Sequence, residues 1–79
     1  MFKPTQFKIQ GTGDGGRVYM ANLDRSIEIT VEEKFAKPIY EHYQIKPRGI
    51  VFAVIEQQED GQLVLGQRIK RRDFYKIAV

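Results

Sequence analysis

The chain has 79 residues, no cysteine, and a net charge of +3 from 13 lysines and arginines against 10 acids. That length holds one small core, buries about 60–65% of the surface an unfolded chain exposes, and points to stability near the low end of ~5–15 kcal/mol. Disulfides and thiolate metal sites are excluded, no run approaches the ~20 apolar residues that span a bilayer, and "MFKPTQFKIQ" lacks the apolar stretch of a signal peptide. The expectation is a single soluble β-rich domain over 1–79, cytoplasmic, for which pairing into a homodimer is one remaining way to gain buried area.

"TQFKIQ" alternates Phe7 and Ile9 with Lys8 and Gln10, the period of a strand with one buried face. "GTGDGG" cannot hold regular structure, and "RVYMAN" resumes the alternation, with Val18 and Met20 opposite Tyr19 and Ala21. Residues 5 to 22 therefore predict a hairpin with a wide, mobile tip. "LDRS" is a turn, and "SIEITVE" a third strand with Ile27, Ile29 and Val31 on one face. One short helix is expected around residues 31–43. Thr30 and Glu33 have the spacing of a capping box, and Phe35, Ile39 and Tyr43 fall four apart. Pro38 should stop this helix near Ala36 or kink it.

After the breaker "IKPRG", the run Ile50 to Ile55 is apolar on both faces and predicts a central strand covered on both sides. Asp60-Gly61 marks a tight hairpin turn, and "QLVLGQRIK" returns with Leu63, Leu65 and Ile69 inward. "DFYKIAV" reads as a last short strand or an edge-pairing tail. The fold class is mainly β (β-rich α+β): about five antiparallel strands in a small sheet or an OB-like or SH3-like barrel, with one short helix.

The positive charge is local. Residues 68–76, "RIKRRDFYK", set five cations against Asp73, a local +4 that leaves −1 for the rest of the chain. If the strand continues, Arg68, Lys70 and Arg72 line one edge at ~6.5–7 Å intervals, similar to the phosphate spacing of a nucleic-acid strand. Phe74 and Tyr75 follow, and bases stack on such rings at ~1–3 kcal/mol each. The reading is non-catalytic binding of single-stranded DNA or RNA by a small regulatory protein. Its contacts are Arg68, Lys70, Arg71, Arg72, Phe74, Tyr75 and Lys76, joined by Lys46 and Arg48. The bland account of the same residues is a solvated edge kept cationic against aggregation.

A second reading is a protein-binding adaptor or inhibitor that uses Phe35, Tyr40, Tyr43 and Tyr19, or a free strand edge. "GTGDGG" lacks the order of a phosphate-binding loop, and Asp14 is its only carboxylate, too few for calcium. His42 is the sole histidine and Ser26 the sole serine, so no metal site, cofactor or nucleophile–base pair is expected.

The stretch "YQIKPRGIVFAVIEQQEDGQLVLGQRIKRRDFYKI" resembles the C-terminal sheet of RelE-type ribosome-dependent toxins. There a strand, a turn and a second strand lead to a basic segment ending in tyrosine. The matching positions are Arg48, the hairpin Ile50 to Gln67, then Lys70, Arg71, Arg72 and Tyr75. The resemblance covers less than half the chain and implies RNA cleavage as a further alternative. Those toxins carry a helical hairpin ahead of the sheet, whereas residues 1–30 here read as strands.

Overall fold

The computed structural model describes residues 2–13 and 16–76. Its elements are β1 (Phe2–Gly11), β2 (Val18–Ala21), β3 (Glu28–Val31), α1 (Glu33–Tyr43), β4 (Ile50–Gln57), β5 (Leu63–Ile69) and α2 (Arg71–Phe74). The strands form one antiparallel sheet in the order β3-β2-β1-β4-β5. The sheet is mainly β in class, as expected, and it is open rather than closed into a barrel. α1 carries the chain back across one face, from the β3 edge past β2 and β1 to β4.

The alternation of the first half sets its faces. Ile9 is paired with Met20 on one side and Val51 on the other, and Phe7 with Ala53. Residues directly opposite in an antiparallel pair share a face. These side chains, with Val18, Val31 and Ile55, form one core cluster with Ala36, Ile39 and Tyr43 of α1. Lys8, Gln10 and Tyr19 therefore look out from the opposite face. β4 is paired on both edges, but the middle strand of the five is β1, and Ile50 is exposed.

α1 departs from expectation in three ways. Its N-cap is Glu32 without a side-chain cap, because Thr30 is still within β3, so the Thr30–Glu33 box does not form. Pro38 lies inside one uninterrupted helix. Lys34 and Pro38 are both exposed, so water can take the Lys34 carbonyl that proline leaves without a donor. The buried stripe is Ala36, Ile39 and Tyr43. At about 100° per residue Tyr43 lies between Ile39 and Ala36, and Phe35 falls beyond Ile39 on the margin, 63% exposed.

The decisive irregularity is in β5. Leu65 opposes Ile55, but the register shifts before Arg68 opposes Ala53 and Ile69 opposes Phe52. One extra residue in β5 turns the rest of the strand over. Leu63 and Leu65 face α1 as expected, whereas Ile69 faces the opposite side. Gly66 sits at the shift, where a Cβ would collide with the Val54 carbonyl oxygen. The Tyr43 hydroxyl donates to the Gly66 carbonyl at 2.8 Å and ties the helix end to the bulge. At the other end of the hairpin Gly61 takes φ 87°, as the Asp60-Gly61 turn predicts.

Two outcomes follow for stability. Gly66→Ala forces a methyl against backbone that cannot yield and costs about 1–3 kcal/mol, read as a lower midpoint in urea unfolding. Burial pushes the Tyr43 hydroxyl up to about 12 from 10.0. The folded chain thus keeps a proton that the unfolded chain releases. The stability tied to neutral Tyr43 is intact below pH 10 and lost as pH climbs from 10 to about 12. Tyr43→Phe removes that component of the decline and, below pH 10, costs about 0.5–1.5 kcal/mol for the lost hydrogen bond. Urea unfolding of both proteins across this range measures the difference.

Candidate nucleic-acid interface

The expected stripe of Arg68, Lys70 and Arg72 does not exist as a strand edge. The bulge places Arg68 on the α1 side, opposite Ala53. The chain then coils, with Asp73 and Phe74 amides donating to the Lys70 carbonyl at 3.0 and 3.1 Å and that of Tyr75 to Arg71 at 3.2 Å. The segment read as a last strand is the helical turn α2; its end, residues 77–79, lies outside the described residues. The physical reason is Phe74, whose ring is 3% exposed. It packs on Phe52 with centroids 4.9 Å apart, and an extended chain would carry it past that contact.

Phe74 is therefore a core ring and not available to stack on a base. Tyr75 is: it stands 40% exposed. Its ring is held edge-on by Phe52 at 5.7 Å and Phe74 at 5.0 Å, with the Arg71 guanidinium 5.8 Å from its centroid. Arg72, two residues before Phe74, lies on the outer side of the turn, and Lys70, Arg71 and Lys76 are also exposed. Among the described residues, no lysine or arginine side chain donates a side-chain hydrogen bond.

Beside α2 on the same face runs a groove of about 170 Å³ that ends at the β2–β3 turn. Its walls carry Lys8, Gln10, Tyr19, Asn22, Arg25 and Tyr75, over Ala21 and Phe74. The register explains the set: Lys8 lies between Ala21 and Phe52, and Gln10 opposite Tyr19. The Tyr19 hydroxyl donates to Glu28 Oε1 at 2.7 Å. That bond holds its ionisation above the usual tyrosine range, while the Arg25 guanidinium pulls the other way. The turn is closely bonded. Asn22 receives the Ile27 amide at 2.9 Å and donates to Ser26 Oγ at 2.9 Å. Hydrogen bonds from Ser26 hold Asp24 below the usual carboxylate range.

The remaining predicted positions scatter. Arg48 lies against Gly13 at the glycine-rich tip, with Lys46 two residues away in the 44–49 loop, and neither lines the groove. The tip is held at its base: the Thr12 amide donates to the Arg17 carbonyl at 3.0 Å. Tyr40 donates to the Thr12 carbonyl at 2.9 Å, and Tyr43 is 2% exposed, so neither offers a free surface ring. Phe35 and Tyr19 are exposed but sit on opposite faces. His42 meets Tyr43 edge-on at 4.6 Å. No cluster of three metal-ligating side chains occurs, and no helix is long and apolar enough to cross a membrane, among the described residues.

No protein-family model, curated protein or solved structure matches the chain. Three strands precede the helix where RelE-type toxins have a helical hairpin. Lys8, Gln10, Asn22 and Arg25 escaped the reading of the sequence. Lys8 and Gln10 show there only as the wet positions of an alternating strand; the pairing of β1 with both β2 and β4 is what brings them to the C-terminal aromatics.

The two C-terminal rings should separate by mutation. Phe74→Ala lowers stability by about 3 kcal/mol or more, whereas Tyr75→Ala costs about 1 kcal/mol or less, both measured by urea unfolding.

Proposed function

We propose that the chain binds single-stranded nucleic acid through the face built by α2, without catalysis. The observation that carries this reading is Tyr75: an exposed ring fixed by two aromatic neighbours, under the Arg71 guanidinium and among Lys70, Arg72 and Lys76. Such a ring stacks on a base at little entropic cost, and the cations around it meet phosphates and release counterions. Bases in a duplex are already stacked and shielded, so a single strand suits this ring better. The cations surround a helical turn, so the phosphates follow a curved path and not the straight file that a strand would impose.

A second reading keeps one specific observation. Phe35 stands over a groove of about 600 Å³ that Ile29, Pro38, Leu63 and Leu65 also line, and that reaches both outer strands of the open sheet. An extended peptide laid there would be a protein partner of the β-augmentation kind.

Fluorescence anisotropy of a labelled single-stranded oligonucleotide across a salt series tests the first reading. Micromolar binding is expected. Four phosphate contacts at ~0.7 each give a slope of about −3 in log affinity against log salt. Arg72→Glu weakens binding on the order of tenfold and flattens the slope by about 1. Absence of binding at low salt overturns the reading. A protein captured in a Phe35-dependent complex would favour the second, and cleavage of the RNA would favour the nuclease that the toxin resemblance implies.

A further inference from the structure

We infer that the groove between α2 and the β2–β3 turn is a receptor for one unstacked nucleobase, with an adjoining phosphate on Lys8 and Arg25. This rests on the nucleic-acid reading and names what the site holds. Four observations converge on it.

The first is size. About 170 Å³ is well below the 300–1,000 Å³ of pockets that enclose a whole small ligand. It leaves room for a ring system whose backbone stays outside.

The second is the pair of rings. Tyr19 and Tyr75 come from β2 and from the residue after α2, and both line the groove, at 37% and 40% exposure. Each is held before any ligand arrives, Tyr19 by its hydroxyl on Glu28 and Tyr75 by Phe52 and Phe74. Stacking on them orders few protein bonds.

The third is charge. The walls contain Lys8 and Arg25 and no carboxylate, unlike the grooves beside Glu56–Asp60 and beside Glu32 and Glu33. Glu28 stands behind Tyr19, where the tyrosine hydroxyl already occupies one of its oxygens.

The fourth is backbone. Arg25 is held at φ 59°, a left-handed conformation that glycine or asparagine adopts far more readily. Its amide donates to the Asn22 carbonyl, and the Asn22 side chain locks the rest of the turn. A strained arginine kept beside two rings and a lysine is accounted for by what its guanidinium reaches. Asn22 is spent on the turn, which leaves Gln10 as the amide free to meet a base edge.

Oligonucleotides of equal length and charge separate base capture from plain phosphate attraction. An intact single strand and one with abasic sites are titrated against the wild-type chain and against Tyr19→Ala and Arg25→Gly, with thermal melts to confirm folding. Expected are a loss of roughly 5- to 150-fold on removing the bases or the Tyr19 ring, and roughly tenfold for Arg25→Gly, which should melt no lower than wild type because it relieves the left-handed strain. A strand carrying one 5-iodouracil should photocrosslink to Tyr19 or Tyr75. Binding that ignores both abasic sites and both substitutions overturns the groove while the nucleic-acid reading stands. No binding by any strand at low salt removes that reading, and this inference with it.

Discussion

The geometry of this protein turns on the contact between Gly66 and the backbone of Val54. With no side chain at Gly66, β5 comes so close to β4 that only a hydrogen fits between Cα and the Val54 carbonyl. The chain takes up its extra residue there and leaves with its faces exchanged. Ile69 then points away from α1, residues 70–76 are delivered to the opposite face, and α2 can lie across β4 and β1 instead of trailing along the edge. Tyr43 reinforces the same point from the other side by donating to the Gly66 carbonyl. A helix, a strand and the C-terminal turn are thereby tied to one residue.

A four-residue helix has no stability of its own, since a helical nucleus costs more than one turn returns. α2 persists because Phe74 is buried against Phe52, and burying a phenylalanine is worth about 1.5–3 kcal/mol. The ring that looked like a base-stacking residue is the anchor, and its neighbour Tyr75 is the one left outside. The cations are arranged by the same anchor: Arg71 comes to lie over Tyr75, and Arg72 is turned outward. Packing and the proposed binding chemistry are thus one arrangement.

The two sheet faces have separate characters. One is closed by α1 over a continuous apolar core, with Phe35 and a groove at its margin. The other has a small aromatic cluster, Phe52 with Phe74 and Tyr75, surrounded by cations and amides. Arg68 is turned to the α1 side, but Lys70, Arg71, Arg72 and Lys76 stay together about α2 against Asp73 alone, a local positive excess that suits a polyanion approaching from that side.

Residues 71–74 coil where the sequence reads as extended, but the sequence alone determined the five strands, the turns that join β1 to β2, β2 to β3 and β4 to β5, and the helix between β3 and β4. Those features depend on neighbours a few residues apart: the alternation around Phe7 and Ile9, the Asp60-Gly61 turn, and the apolar spacing of α1. It also located the excess positive charge. Tertiary structure decided the rest. Whether Pro38 breaks a helix depends on whether the Lys34 carbonyl has water, and whether Phe35 is buried depends on which side of the helix meets the sheet. The side on which Ile69 emerges depends on a collision with Val54, a residue that local pattern does not connect to Gly66. The groove is the fullest case, because its walls come from β1, β2, the β2–β3 turn and the C-terminal turn, brought together by strand order and register. Alternation is a property of a stretch of chain, whereas a binding surface is a property of which stretches become neighbours, and only the folded packing settles that.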